Sequence, residues 1–216
     1  MIGKALITEQ TLASKQFKHS LNFRIIGVDE AGRGPLVGSV VAAAVAFPAN
    51  FQIDGLTDSK KLSEKKREDL YAQITKKCYW ASAESNSIEI DEINILQATM
   101  IAMKRAVNAL QHQLISQTQV QDFKVLVDGN RCPDVENCEA IIKGDLIEPV
   151  ISAASIIAKV TRDRQMKELD KIYPEYGFSR HKGYGTKEHL EALSKYGPIE
   201  GQHRCSFAPV KKLIRS

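Results

Sequence analysis

The residues best suited to chemistry stand at the end of a short apolar run near position 30. Ile25, Ile26 and Val28 precede two adjacent acids, Asp29 and Glu30. Successive side chains of a strand point to opposite faces, so adjacent acids after an apolar run indicate either the end of the strand or a functional site. Carboxylates are hard oxygen ligands of Mg²⁺ and Mn²⁺. The pair therefore predicts the binding of divalent cations.

A glycine-flanked arginine follows the two acids, in the order Gly32, Arg33 and Gly34. Glycine leaves the backbone accessible to a ligand, and arginine adds a positive charge. This segment therefore predicts contact with a phosphate-bearing partner.

Two further acids follow predicted strands. Residues 124–127 form an apolar run that ends at Asp128, and residues 140–143 lead to Asp145. Open α/β sheets place their sites at the carboxyl ends of strands, so we expect all four acids in one crevice. Two cations about 3.5–4 Å apart could relieve their repulsion, activate a water molecule and stabilise the leaving oxygen of a phosphodiester. The alternative, that each acid only forms a turn or caps a helix, stays open for Asp128 and Asp145.

The elements that must position these acids follow from hydrophobic periodicity. We predict strands over residues 23–29, 37–47, 79–85, 124–127 and 140–143, the second antiparallel to the first. We predict helices over 63–77, 91–113, 149–172 and 187–195, with Ser63, Asp91 and Thr186 as N-caps and Pro149 in the first turn of the third. The order predicts an α/β fold in which helices flank a mixed sheet and a helical C-terminal extension follows. Residues 1–22 are expected to be a leader, and residues 23–216 one domain.

Composition and charge narrow the class of protein. No apolar run of the 216 residues approaches the roughly 20 needed to cross a bilayer, and the polar start favours a cytoplasmic location. The four cysteines form no Cys-x-x-Cys pair, which favours a reduced compartment and disfavours zinc. Residues 179–216 carry eight Lys or Arg against three Glu, a net charge of +5. This excess favours a polyanionic partner, with a solvated basic helix face as the alternative. Nothing demands more than a monomer.

A resemblance to the type 2 ribonucleases H, the bacterial ribonuclease HII family, rests on several segments in the expected order. They are Asp29-Glu30-Ala31-Gly32-Arg33-Gly34-Pro35, Asp58-Ser59-Lys60-Lys61-Leu62, Val127-Asp128-Gly129-Asn130, Lys143-Gly144-Asp145, the stretch 151–163 and His181-Lys182-Gly183-Tyr184. Residues 1–22 are too few for the extra N-terminal domain of ribonuclease HIII, which favours type HII.

The resemblance implies a ribonuclease H-like fold with a five-stranded sheet. It also implies an endonuclease that cleaves the RNA strand of RNA–DNA hybrids and nicks duplex DNA on the 5′ side of single ribonucleotides. The products would carry 3′-hydroxyl and 5′-phosphate ends, and the role would be ribonucleotide removal in replication and repair. Carried over by position, Asp29, Glu30, Asp128 and Asp145 would be the catalytic acids that bind two Mn²⁺ or Mg²⁺ ions.

The resemblance assigns substrate recognition to other residues. Gly32, Arg33 and Gly34 would sense the ribose 2′-hydroxyl, the group that distinguishes RNA from DNA, with the help of Tyr184. The Tyr184 ring could stack on the neighbouring deoxyribose, where an added hydroxyl would interfere; the alternative is a half-buried structural tyrosine. Phosphate contacts are expected from Lys60, Lys61, Lys159 and Arg180.

The histidines are expected to play minor roles. His181 and His203 could contact the nucleic acid backbone, but a surface position is the stronger expectation. A general base is not required when a cation activates the water.

Two other functions are compatible with parts of the pattern. A Mg²⁺-dependent phosphatase of small molecules would also use acids at strand ends, but the chain lacks an Asp-x-Asp motif after the first strand. A non-catalytic module that binds hybrids would explain the basic C-terminal region. Its four acids would nevertheless repel the phosphates that it must bind.

Overall fold

A five-stranded sheet forms the centre of the protein, whose computed structural model describes residues 25–49, 51–118 and 120–214. The strands are β1 (Ile25–Ala31), β2 (Val40–Ala46), β3 (Tyr79–Ser85), β4 (Lys124–Asp128) and β5 (Cys138–Ile141). The helices are α1 (Glu64–Lys77), α2 (Ser87–Thr118), α3 (Gly144–Ile147), α4 (Pro149–Ile172), α5 (Phe178–His181), α6 (Lys187–Tyr196) and α7 (Ala208–Ile214). Short 3-10 turns span Ser59–Lys61 and Pro174–Tyr176.

The sheet is mixed, with the strand order β3-β2-β1-β4-β5. β1 pairs antiparallel with β2 and parallel with β4, which in turn pairs parallel with β5. The prediction of a five-stranded mixed sheet flanked by helices is confirmed, including the antiparallel return of β2. Since β1 and β4 are neighbouring parallel strands, their carboxyl ends meet at one edge of the sheet.

Small residues let helices pack closely on both faces of the sheet. Every residue of β2, of sequence VVAAAVA, is buried. Its Ala42 and Ala44 belong to the apolar core shared with α2, while Ala43 belongs to the core on the other face, shared with α1 and α4. A side chain at Gly27 would lie 2.4 Å from the carbonyl carbon of Val150 on α4. β1 and α4 are therefore in direct backbone contact, directly below the acids that follow Gly27.

Helix α2 begins at Ser87, so the prediction that Asp91 is its N-cap is wrong. The break in the helix comes at Asn94, which has a φ of 67° and whose side chain accepts hydrogen bonds from the N–H groups of Leu96 (3.0 Å) and Gln97 (3.2 Å). The Asp91 carboxylate instead accepts hydrogen bonds from residues 205 and 206, far along the chain. The carboxylate that could have capped the helix forms a long-range contact instead, and the local sequence does not reveal that contact.

The predicted strand ends also shift. β1 continues through Glu30 to Ala31, so both acids lie within the strand. β5 ends at Ile141, because Lys143 has a left-handed φ of 58° and begins a new turn. Asp145 therefore lies in the first turn of α3, not at a strand end. The remaining predicted caps, Ser63 and Thr186, and the opening of α4 by Pro149 are confirmed.

The helical C-terminal extension is confirmed and has an apolar core of its own. This core includes Val37, Met166, Tyr176, Phe178 and Ala192. The predicted leader, residues 1–22, lies outside the described residues. None of the helices within the described ranges is long and apolar enough to cross a membrane.

Two cysteines expected to be reduced are joined in the structure. A disulfide links Cys132 and Cys138, whose Cα atoms are 6.0 Å apart, while Cys78 and Cys205 are free. The loop from β4 folds back to the start of the parallel strand β5, and this return brings the two residues together. The spacing of cysteines along the sequence did not predict the pair.

Candidate active site

The four predicted acids meet at the carboxyl edge of the sheet. Asp29 and Glu30 lie on β1, and Asp128 is the last residue of β4. The register pairs Val28 with Val127, so Asp29 and Asp128 are the next residues on two adjacent strands. The N–H of Asp145 lies 3.4 Å from Oδ1 of Asp128. The structure therefore brings together four acids from three elements.

Asp29 is the most deeply buried of these acids, with 6% of its surface exposed. Burial raises its pKa well above the usual range, and the negative charges of Glu30 and Asp128 raise the pKa further. A hydrogen bond from Ser155 and one from the N–H of Glu30 (2.7 Å) act in the opposite direction. An ionised Asp29 therefore needs positive charge nearby.

The pKa values of two other acids, Glu30 and Asp145, are also raised. Burial raises the pKa of Glu30, although Arg33, whose Nη1 lies 3.3 Å from Oε1 of Glu30, lowers it. Burial also raises the pKa of Asp145, and so does the charge of Asp128. Asp128 therefore lies within electrostatic reach of the other three acids. The excess of negative charge favours the binding of cations.

The carboxylate oxygens and the negative charge of the four acids are suited to binding a hard divalent cation. Among residues 25–49, 51–118 and 120–214, however, no three acidic, histidine or cysteine side chains are close enough to hold one ion together. Mg²⁺ commonly binds through one or two carboxylates and completes its shell with water and substrate phosphate oxygens. The arrangement fits that mode, in which the substrate supplies part of the coordination.

The electrostatic cost of Asp29 leads to a prediction for the metal-free protein. Asp29→Asn should raise the free energy of unfolding at pH 7.5 in EDTA, because the buried ionised carboxylate destabilises the fold. A folded-state pKa above the unfolded value means that this cost falls as the carboxyl becomes protonated. The advantage of Asn should therefore shrink as the pH is lowered from 7.5 towards 4.5. Urea unfolding at several pH values measures it.

The exposed Asp54 provides the control for this substitution. Asp54→Asn should leave the free energy of unfolding nearly unchanged at all these pH values. A lower stability of Asp29→Asn at pH 7.5 would contradict the electrostatic account of the site.

Two buried serines connect the acids to a lysine-bearing turn, and sequence reasoning missed their role. Ser155 on α4 bonds to Asp29, and its Oγ lies 2.8 Å from Oγ of Ser59. Ser59 begins the turn Ser59–Lys61, whose lysines lower the pKa of Asp145. Both serines stand within the segments that carry the family resemblance. Their place in those segments indicated that the two serines have a function, but it did not indicate which residues they contact.

A cleft of about 830 Å³ adjoins the acids and contains most of the predicted substrate-binding residues. Its lining includes Glu30, Gly32–Gly34, Lys60, Lys159 and Tyr184. A second hollow of about 230 Å³ shares Glu30 and Arg33 with the cleft and adds Asp128 and Arg131. Glu30 and Arg33 line both hollows, so two of the predicted acids, Glu30 and Asp128, border the same hollows as the predicted recognition residues.

The predicted basic residues are placed unequally. Lys61 acts electrostatically on Asp145, and Lys159 in the cleft forms a 2.6 Å ion pair with Asp163. Arg180 is not among the residues that line the cleft, and its exposed side chain pairs with Glu188. The structure thus brings Lys60 and Lys61 within electrostatic reach of Asp145 and places Lys159 in the cleft that Glu30 lines, but it does not bring Arg180 there.

Two buried arginines hold the backbone of residues 32–39, and neither was predicted to do so. Arg204 donates hydrogen bonds to the carbonyl oxygens of Gly32 (2.6 Å), Arg33 (3.0 Å), Pro35 (2.7 Å) and Gly38 (2.9 Å). Arg162 donates to the carbonyl oxygens of Ser39 (2.9 Å) and Val37 (3.1 Å). Burial lowers the pKa of Arg162 to about 10 and that of Arg204 to about 9, so both stay charged at neutral pH.

The arginines also explain why the turn begins with glycine. Gly32 has a φ of +96°, and a Cβ there would lie 2.2 Å from Nε of Arg162. Arg204 bonds to the carbonyl groups of Gly32 and Arg33, whereas within the described chain the N–H groups of Arg33 and Gly34 donate to no protein acceptor. The turn therefore offers hydrogen-bond donors to a ligand.

Tyr184 lies directly beside this turn. A Cβ on Gly34 would be 3.3 Å from Cε1 of Tyr184, and the tyrosine is 47% exposed. A larger residue at position 34 would crowd the ring. The two predicted recognition elements, which are 150 positions apart in sequence, therefore form one surface.

The expectation that His181 and His203 are surface residues is wrong. His181 is 8% exposed and His203 is 1% exposed, and both pack against Phe178 in the C-terminal apolar core. Arg204 likewise belongs to the interior, so the basic C-terminal region supplies less surface charge than its composition indicates. Buried polar side chains of this kind cannot be distinguished from surface ones by residue type alone.

Comparison with known proteins agrees with this arrangement. Residues 26–210 match the family model described as Ribonuclease HII. The chain is 51% identical over 217 residues to a ribonuclease HII of Vibrio parahaemolyticus, covering 99% of both sequences. The ribonuclease H2 of Pyrococcus horikoshii has a similar structure, with a TM-score of 0.69 and 27% identity over 88% of this chain and 97% of that one. Bst-RNase HIII, solved in complex with Mn²⁺, shares the fold, with a TM-score of 0.72 and 18% identity over 94% and 72% of the two chains.

Proposed function

Since the chain belongs to the ribonuclease HII family, whose members are endonucleases of the ribonuclease H type, we propose that it nicks duplex DNA 5′ of a single embedded ribonucleotide. It would also cleave the RNA strand of RNA–DNA hybrids, leaving 3′-hydroxyl and 5′-phosphate ends. One observation carries this proposal: a single cleft contains both the edge of the acid cluster and the Gly32–Gly34 turn, and Arg33 bonds to Glu30 between them.

The cutting half of the site comprises Asp29, Glu30, Asp128 and Asp145. These residues would hold two divalent cations, Mn²⁺ or Mg²⁺, and the Mn²⁺ complex of Bst-RNase HIII supports this choice. When bound, such ions lower the pKa of water and stabilise charge on the oxygens of a phosphodiester. Ser155 would keep the Asp29 carboxylate oriented, because it bonds to Asp29 and to the buried Ser59.

The recognition half comprises Gly32, Arg33, Gly34 and Tyr184. The N–H groups of Arg33 and Gly34, which have no acceptor among the described residues, can donate to the ribose 2′-hydroxyl, which accepts as well as donates hydrogen bonds. The exposed Tyr184 ring can stack on the sugar of the next nucleotide, and this contact favours a deoxyribose there. The buried Arg204 would keep the turn in place.

Phosphate contacts come from Lys60, Lys61 and Lys159, which lie beside the acids. Such contacts position the duplex without reading its sequence. Arg180 lies away from the cleft, so we assign it no contact beside the cut bond. We further propose that the protein acts as a monomer in the cytoplasm, where it removes ribonucleotides from DNA during replication and repair.

A duplex DNA with one ribonucleotide tests this function. We expect a single cut 5′ of the ribonucleotide in Mg²⁺ or Mn²⁺, no cut in EDTA, and no cut in an all-DNA duplex of the same sequence. Product ends are identified by ligation and by labelling of 5′-phosphates. Cleavage of the hybrid alone would limit the protein to long RNA–DNA substrates, and cleavage in EDTA would contradict the role of the acids.

A further inference from the structure

The position of the Tyr184 ring depends on its backbone, because the ring is half exposed. Its N–H donates to the carbonyl oxygen of His181 (3.0 Å). Its carbonyl oxygen accepts from the N–H of Thr186 (2.8 Å) and bonds to Nδ1 of His189 (2.9 Å). Any change in these backbone bonds would move the ring relative to Gly34.

Three buried histidines, His181, His189 and His203, form what we term the histidine cluster beneath Tyr184. His189 is fully buried, and the other two are nearly so. The rings of His181 and His189 stack, with centroids 4.6 Å apart and planes 13° from parallel. The cluster lies in the apolar core of the C-terminal helices and away from the four acids. It is therefore separate from the cutting half of the site.

The hydrogen bonds fix which nitrogen of each ring carries a proton. The N–H of Ile199 donates to Nδ1 of His203 (2.8 Å), so a neutral His203 carries its proton on Nε2. That proton points to Nε2 of His189 (3.2 Å), which must accept. His189 then carries its proton on Nδ1 and donates it to the carbonyl oxygen of Tyr184. The bonds run in one direction, from Ile199 to Tyr184.

The third histidine holds the backbone one residue before Tyr184. The N–H of Gly183 donates to Nδ1 of His181 (3.2 Å), so the proton on Nε2 of His181 is directed to the carbonyl oxygen of Tyr176 (2.8 Å). Burial lowers the pKa of His189 and lowers that of His203 to about 4, so both stay neutral at physiological pH. The stacked rings thus fix the backbone on both sides of Tyr184.

We propose that His189, supported by His203, is a positioning residue that sets the preference of the enzyme for single ribonucleotides by fixing the backbone of Tyr184. This inference rests on the proposed function, in which the Tyr184 ring reads the neighbouring deoxyribose. His189 touches no substrate; it acts only through the Tyr184 carbonyl.

Two similar substitutions separate positioning from mere packing. In His189→Asn, the side-chain amide can place an N–H where Nδ1 lies and keep the bond to Tyr184. In His189→Gln, the amide reaches the position of Nε2 instead, and the bond to Tyr184 is lost. The readout is the ratio of kcat/KM on a duplex with one ribonucleotide to kcat/KM on a continuous hybrid of equal length.

We expect His189→Gln to lower this ratio about tenfold, equivalent to the loss of one buried hydrogen bond, and His189→Asn to keep it within about twofold. A purely structural role would lower both rates by the same factor and leave the ratio unchanged in both variants, which would overturn the inference. Should His189→Gln fail to fold, His203→Asn keeps the acceptor for Ile199 but removes the donor to His189. It should lower the ratio in the same direction.

Tyr184→Ala shows which proposal fails. If it leaves the ratio unchanged, the recognition role of Tyr184 is wrong and the inference falls with it. If it lowers the ratio while His189→Gln does not, only the inference is overturned. The double variant His189→Gln/Tyr184→Ala should show no further drop beyond Tyr184→Ala, and an additive drop would contradict action through Tyr184.

Discussion

Asp128→Asn should lower kcat about 1,000-fold or more, because removing one anionic ligand forfeits several kcal/mol of transition-state stabilisation. Asp128 is the acid with the widest influence: its charge raises the pKa of Asp29, Glu30 and Asp145. Asparagine keeps the shape and an oxygen that can accept the N–H of Asp145. The variant should therefore fold and bind the RNA–DNA hybrid within about threefold of the unchanged protein, since phosphate contacts supply most of that affinity.

The measurement is single-turnover cleavage of a hybrid in Mg²⁺, together with hybrid binding in EDTA. Asp134→Asn is the matched control, because Asp134 lies in the loop that follows β4 and its exposed carboxylate pairs with Lys104, away from the other acids. That control should keep its activity. An active Asp128→Asn enzyme would remove Asp128 from the cutting half of the site, while a loss of binding equal to the loss of cleavage would indicate a structural defect.

Arg204→Lys should reduce the free energy of unfolding by about 3 kcal/mol or more, because a lysine cannot satisfy four buried carbonyl groups and remains a buried charge. The arginine is fully buried, stacks on Phe207 and donates to the carbonyl oxygens of residues 32, 33, 35 and 38. A single ammonium cannot reproduce the planar fork of a guanidinium. Urea unfolding gives the free energy, and the m-value shows whether the folded state stays compact.

Arg180→Lys is the control for this substitution. Arg180 is exposed and pairs with Glu188, so its replacement should change the stability by less than about 0.5 kcal/mol. If Arg204→Lys is as stable as Arg180→Lys, the four carbonyl bonds do not hold the turn. We also expect the folded fraction of Arg204→Lys to discriminate poorly between RNA and DNA at the cut site, since the Gly32–Gly34 turn loses its support.

Local patterns predicted most of the fold. The alternation of apolar residues, the caps at Ser63 and Thr186 and the first-turn Pro149 predicted the strands and three of the helices, with errors of a few residues at their ends. The clearest error concerns Asp91. It has the residue type and position of a cap, but its carboxylate bonds to residues 205 and 206, while Asn94 breaks the helix three positions later. Tertiary contact thus overrode local preference.

The candidate site was predictable only in part for a similar reason. The acids and the Gly32–Gly34 turn stand in short, distinctive segments, and the family resemblance of those segments selected them as candidates. The contacts that hold these segments are not visible in the sequence: Arg204 bonds to Gly32 across 172 positions, and Ser59 bonds to Ser155 across 96. Arginine, serine and histidine are common surface residues, and nothing local marks them as buried.

The adjacent positions of His203 and Arg204 have a consequence for the order in which the enzyme matures on the ribosome. His203 bonds to His189, which bonds to the carbonyl oxygen of Tyr184. Arg204 holds the Gly32–Gly34 turn. Asp145, the last of the four acids, precedes His203 by 58 positions. At about 5–20 residues per second, translation of that stretch takes roughly 3–12 s. A nascent chain therefore carries all its acids several seconds before the residues that we propose select a ribonucleotide can be held in place.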